Sequence, residues 1–334
     1  MLTIDVVPLA IAWHTIRHES IMTCKHIDWP EGKRFAFTVF DDTDAATIEN
    51  TKPIYDLLVE SGFRTTKSAW PLRRPQCGES EELGMTCEDP AYVAWLHALQ
   101  AQGFEIGYHL ASSHTSTREH TKAGLERFRQ LFGPELITMS NHSLNKEGIY
   151  FGADRLSGSR RLFYYLYQLL KWRGPTRGHI PGDRLFWGDL CHEYMIYVRN
   201  FVVADMNTLK LCPMMPYHDP TKPYVRRWFA SSEGTHVHSY NATLAEANQD
   251  QLVEEGGACI MYTHFAAGFY EEGRLNPRFE SLMRRLAGLG GWFVPVRTLL
   301  DYLVSVRGEH TLTAEERAGL EWNWLRHKSK FGPS

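Results

Sequence analysis

No C-x-x-C pair, no internal repeat, no low-complexity tract and no apolar run of membrane-spanning length occurs in the 334-residue chain. Each absence excludes something. The six cysteines, at 24, 77, 87, 191, 212 and 259, are too dispersed for a disulfide framework or a cysteine metal cage, and a reduced compartment suits them. Only Cys77 and Cys87 flank a loop-like stretch that a disulfide could close, and free thiols are the expectation. The amino terminus has Asp5 early and no basic segment before a short apolar run. Neither a signal peptide nor an anchor is read there, and a cytoplasmic location is expected. With 36 basic against 39 acidic residues, the net charge of -3 gives no long-range field for nucleic acid or an anionic membrane, so neither is expected as a partner.

What is present is a composition 43% hydrophobic and 22% charged, enough to bury a large core, and an alternation of short apolar runs with helical patterns. RFAFTVF at 34–40 reads as a strand ending at Asp41 and Asp42, and a helix follows over 46–61. A short strand around Phe63 to Lys67, a loop, and a helix from Pro90 to Gln102 come next. GFEIGYH closes at His109, and a helix with Ser116 and Glu119 at capping-box spacing follows it. ELITMS at 135–140 is a strand ending at Asn141, His142 and Ser143. Helices are expected near 158–172 and 189–199, then a buried strand GGACIMYTH ending at His264, a helix over 276–289, the strand GWFVPV, and a last helix to about 306. The domain reading is an extension over 1–30, a parallel α/β barrel over 31–306 with an insertion at about 145–200, and a tail over 307–334 whose tryptophans pack back.

Strand ends in a parallel barrel gather on one face, where sites form. They carry Asp41, Asp42, His109, Asn141, His142 and His264. Adjacent aspartates on an extended backbone point to opposite faces, so one can bind a metal while the other handles a proton. Imidazole nitrogen and carboxylate oxygen suit zinc or another divalent transition metal. His109 and His114 are the natural pair: five residues turn a helix by about 500°, which separates the two rings, so they can converge only from a strand end and the loop after it. His236-x-His238 is a second candidate, with both rings on one face if it lies in a strand, although a polar loop or sheet edge is the default. His120 is expected to face solvent, and His218 with Asp219 to sit in a surface loop.

VFDDT, then FEIGYH with a further histidine, then a late strand ending YTH resemble the polysaccharide deacetylase family, the NodB-homology or carbohydrate esterase family 4 proteins, over roughly residues 30–306. The resemblance implies a deformed (β/α)7 TIM-like barrel, here with inserted helices in the middle third. It also implies removal of acetyl groups from an N-acetylated sugar or polysaccharide with zinc. By position it makes Asp41 the catalytic base, Asp42, His109 and His114 the metal ligands, and His264 the general acid. The glycine usual after the aspartate pair is Thr43 here, followed by Asp44, and the third-motif arginine is replaced by SNHSLN. Asn141, His142, Arg199 or Asp44 are the candidates to support the base or substrate. The pattern resembles a divergent branch linked to O-antigen or surface-polysaccharide synthesis, with a small-molecule or oligosaccharide substrate. Alternatives on the same scaffold are hydrolysis of a formamide or cyclic amide, or an inactive metal- or sugar-binding barrel.

Overall fold

A computed structural model describes residues 27–74, 83–170 and 174–331. Most of the amino-terminal extension, Cys24 and Cys77 lie outside them. Cys87 is a buried free thiol, as are Cys191, Cys212 and Cys259.

Seven parallel strands close into a barrel: β1 (Ala36–Asp41), β2 (Thr66–Ala69), β3 (Glu105–Tyr108), β4 (Ile137–Met139), β5 (Met195–Val203), β6 (Arg227–Ser232) and β7 (Ala258–Thr263). They pair in chain order, and β7 closes the ring by pairing with β1 over its whole length, Ala36 beside Ala258 through Asp41 beside Thr263. Helices cover the outside, as parallel strands buried on both faces require. Phe40 of β1 meets Phe229 of β6 across the interior at 6.3 Å between ring centroids. On the other side of β1, Phe37 packs against Phe63 and Phe293.

Local chemistry sets the boundaries. The first helix, Ile48–Glu60, starts at Thr47, whose hydroxyl accepts from the Asn50 amide while the Asn50 side chain accepts from the Thr47 amide. The helix Arg118–Phe132 is capped by Thr117, not Ser116, because the Ser116 hydroxyl is turned inward to Ser112 and the His114 carbonyl. A larger correction lies in the middle third. The expected helix over 189–199 ends at Tyr194, and the chain continues directly as β5. Its run of β-branched and aromatic residues, Ile196, Tyr197, Val198, Phe201, Val202 and Val203, suits a pleated, buried surface. β5 and β6 complete the ring. In the tail, a helix Ala314–Phe331 buries Trp324 against Tyr164 and Phe201, whereas Trp322 stays half exposed.

Candidate active site at the carboxyl ends of the strands

The alternation along β1 separates its two terminal carboxylates. Asp41 shares the helix-facing side with Phe37 and Val39 and is fully buried. Register places it beside Lys67 of β2, whose Nζ lies 3.1 Å away. Tyr55 of the first helix donates to it at 3.1 Å, and the Phe265 amide at 2.9 Å. Burial raises the Asp41 pKa against the pull of Lys67 and these donors, and the Asp41 charge in turn secures the proton on Lys67. Asp42 faces the interior. Arg199 of β5 grips it with two nitrogens, at 3.0 and 2.5 Å, and Ser140 Oγ donates at 2.8 Å. Burial opposes its ionisation, but Arg199 prevails and holds its carboxyl below the usual range. The guanidinium itself stacks on Tyr262 at 4.2 Å and Phe40 at 5.3 Å.

A turn after β1 delivers a third carboxylate. The Ala46 amide donates to the Thr43 carbonyl at 3.0 Å, Thr43 Oγ1 meets the Tyr92 hydroxyl at 3.1 Å, and Ala45 takes a left-handed φ of 58°. That conformation costs a non-glycine residue roughly 1–2 kcal/mol and turns Asp44 back over the barrel mouth. Three imidazoles face its carboxylate: His264 Nε2 at 3.0 Å from Oδ2, and His109 Nε2 at 3.4 Å and His142 Nε2 at 3.5 Å from Oδ1. Burial opposes charge on Asp44, yet these imidazoles hold its carboxyl well below the usual range.

Hydrogen bonds on the far nitrogens assign the tautomers. Ser140 gives its proton to Asp42, so His109 Nδ1, 2.7 Å from Ser140 Oγ, is the donor, and its Nε2 is turned to Asp44 without a hydrogen-bond partner. Asn145 points its amide nitrogen at the Ser112 and His114 carbonyls and at Glu147. Its Oδ1 therefore accepts from His142 Nδ1 at 2.8 Å, which leaves His142 Nε2 a bare lone pair while the ring is neutral. Burial lowers the His142 pKa, which keeps that ring neutral. His264 differs: Nδ1 donates to the Thr235 carbonyl at 2.9 Å and Nε2 to Asp44. Burial disfavours its charge, but the Asp44 bond and the charges of Asp42 and Asp44 raise it to about 9, making it an imidazolium at neutral pH.

Glu147, which anchors Asn145 at 2.6 Å, is fully buried, and burial raises its carboxyl to about 7 from 4.5 against the donors around it. The fold therefore retains a proton that the unfolded chain releases near 4.5. Stability from this group is complete below that pH and is lost as pH rises through about 7. Glu147→Gln is expected to flatten the decline in denaturation midpoint between pH 5 and 8. It should gain up to about 3 kcal/mol on the alkaline side and nothing at pH 5. Parallel profiles for variant and parent would refute this.

Other predicted site residues are placed elsewhere. His114 turns its ring to Ser113 Oγ at 2.8 Å and Arg74 at 3.4 Å, and only its backbone carbonyl joins the Asn145 network. Asn141 clamps the Ile149 backbone through both its amide atoms. His236 and His238 are not in a strand: His236 caps the short helix Val237–Thr243. Asp219 binds Lys222 and Arg317. His120 is half buried rather than exposed.

Neither a protein-family model nor a curated protein sequence matches the chain. Solved structures do. A protein named as a polysaccharide deacetylase from Mycobacterium smegmatis is similar at 12% identity and a TM-score of 0.49, over 86% of this chain and 96% of that one. The allantoinase Puue is similar at 12% and 0.48, over 85% and 94%. A protein from Bordetella bronchiseptica, named as a polysaccharide deacetylase involved in O-antigen biosynthesis, is similar at 14% and 0.33, over 84% and 93%. These likenesses describe overall shape, and the residue roles rest on the side chains.

The zinc implied by the motifs can be tested against those side chains. Among the described residues no group of three or more His, Cys, Asp or Glu is already gathered closely enough to hold a metal ion. The donors nevertheless fit one. Asp44 Oδ1 and His109 Nε2 are buried with no hydrogen-bond partner, and the bare His142 Nε2 is aimed at the same oxygen. A divalent cation would satisfy these buried atoms together, in the place a proton shared between carboxylate and imidazole would otherwise take. Ser140, Asn145, Glu147 and Lys67 carry no motif that marks them in the sequence, and the structure places them around the site. SNHSLNKEG offered one signal, a histidine followed three residues later by an amide able to orient it.

No helix among the described residues is long and apolar enough to cross a membrane.

Proposed function

We propose that the chain is a metal-dependent hydrolase that removes an acetyl group from an N-acetylated sugar or polysaccharide intermediate. The convergence of Asp44 Oδ1, His109 Nε2 and His142 Nε2, buried beside an imidazolium, carries the proposal. The motif resemblance supplies the acetylated sugar. Asp44, His109 and His142 would hold the metal, in place of the Asp42, His109 and His114 set that motif position suggests. When bound, a divalent ion supplies Lewis-acid polarisation of the amide carbonyl and of the attacking water. Asp42 takes the proton of that water: three of its roughly four lone-pair sites face Arg199 and Ser140, and one remains. This moves the base from Asp41, which is sealed beneath the site, to Asp42, and gives the missing third-motif arginine a substitute in Arg199. His264, charged and bonded to Asp44, donates its Nε2 proton to the leaving amine.

A screen of N-acetylated nucleotide sugars and oligosaccharides for acetate release, beside formamido sugars for formate release, tests the reading. Acetate is the expected product, and formate alone would shift the substrate class. Asp42→Asn is expected to keep its metal and lose about 10²–10⁴-fold in rate. An unchanged rate in that variant would remove Asp42 as base.

A further inference from the structure

Arg155 is a guanidinium that the chain has buried without a counter-ion. It is only 6% exposed, yet among the described residues no carboxylate forms an ion pair with it and no side chain accepts a hydrogen bond from it. The nearby carboxylates are committed elsewhere. Asp154 binds Arg161 at 2.6 Å and faces His179 at 3.8 Å, while Glu321 binds Arg160 at 2.6 Å and Ser157 at 2.9 Å. Arg155 instead lies over the Phe151 ring at 4.0 Å and 5.4 Å from that of Trp324. No hydrogen bond to a described residue occupies its N–H groups, through which a guanidinium takes an oxyanion. Its electrostatic neighbours are Arg199, Tyr262, Tyr217 and Tyr164. Arg199 and Tyr262 border the catalytic group directly, since Arg199 holds Asp42 and the Tyr262 hydroxyl lies 3.5 Å from His264 Nε2.

A buried arginine cannot shed its proton to escape desolvation, as a lysine can. An unneutralised charge in that position is retained against a stability cost unless a ligand supplies the opposite charge. We propose that Arg155 anchors an anion-binding subsite beside the catalytic group, which takes a carboxylate or phosphate carried by the substrate. The sugar part of that ligand rests on the proposed function; the capture of an oxyanion does not. A uronic-acid sugar would present the carboxylate and a nucleotide sugar the phosphate. Both offer paired oxygens to a planar donor edge.

Calorimetric titration of the metal-loaded protein with N-acetylglucosamine, the corresponding N-acetylated uronic acid and uridine-diphosphate N-acetylglucosamine tests this and separates the two sources. At least one anionic probe is expected to bind about tenfold or more tightly than the neutral sugar. The Arg155→Gln variant should abolish that preference while leaving metal content unchanged. Equal binding of neutral and anionic probes by the parent protein, or a preference that survives Arg155→Gln, would overturn the subsite. If that variant fails to fold, the preference in the parent protein and its weakening by salt decide the matter. Acetate release distinguishes the two failures. Release without an anionic preference leaves the hydrolase and removes the subsite, whereas an Arg155-dependent preference without release does the reverse.

Discussion

Asp44→Asn is expected to strip the protein of its divalent metal, from about one ion per chain to a small fraction, and to cut hydrolysis by roughly 10³-fold or more. The substitution is nearly isosteric, so its effect isolates the anionic oxygen that His109 and His142 face at 3.4 and 3.5 Å. It also withdraws the charge to which His264 donates, so the acid and the metal ligands suffer together. Metal analysis under non-chelating conditions provides the readout that is independent of turnover. His142→Ala should reproduce the metal loss, whereas His114→Ala should retain the ion because its ring is engaged by Ser113 and Arg74. The opposite pattern, with metal lost on His114→Ala and kept on Asp44→Asn, would restore the ligand set suggested by motif position.

The strand ends were legible because apolar runs that stop at polar residues mark where a barrel strand meets its loop. Asp41, Asp42, His109, His142 and His264 all stand there. Their division of labour was less legible. Which of two adjacent carboxylates faces the interior depends on the parity of the strand, and a shift of one residue reverses every assignment. Parity put Asp41 against Lys67 and Tyr55 and left Asp42 for Arg199. The third carboxylate depends on a left-handed turn at Ala45, which has no glycine to announce it. From the sequence Arg199 is a candidate to reach the site, but YVRNF falls at the end of an expected helix, and only as a strand does it carry the arginine into the barrel. The ring needed β5 and β6, and the aromatic content of that middle third masked the two-residue period.

The second large effect is in stability. Lys67→Met is expected to destabilise the fold by about 3–5 kcal/mol, because it leaves Asp41 buried beside an apolar chain. Protonation of Asp41, whose pKa burial already raises, would recover part of that loss at acid pH, so the deficit should be larger at pH 8 than at pH 5. Replacing both partners, Asp41→Leu with Lys67→Met, should cost less than either single change, since no buried charge then remains uncompensated. The Tyr55 hydroxyl and the Phe265 amide would still lose their acceptor, so the double variant is not expected to reach the parent. Denaturant midpoints of the four proteins close the cycle, with metal content measured beside them. If Asp41 supports the fold beneath the site, the double variant keeps its metal and a substantial part of its turnover. A double variant that folds and binds metal normally but has lost hydrolysis altogether would return Asp41 to the reacting groups and leave Asp42 as the residue that holds Arg199 in place.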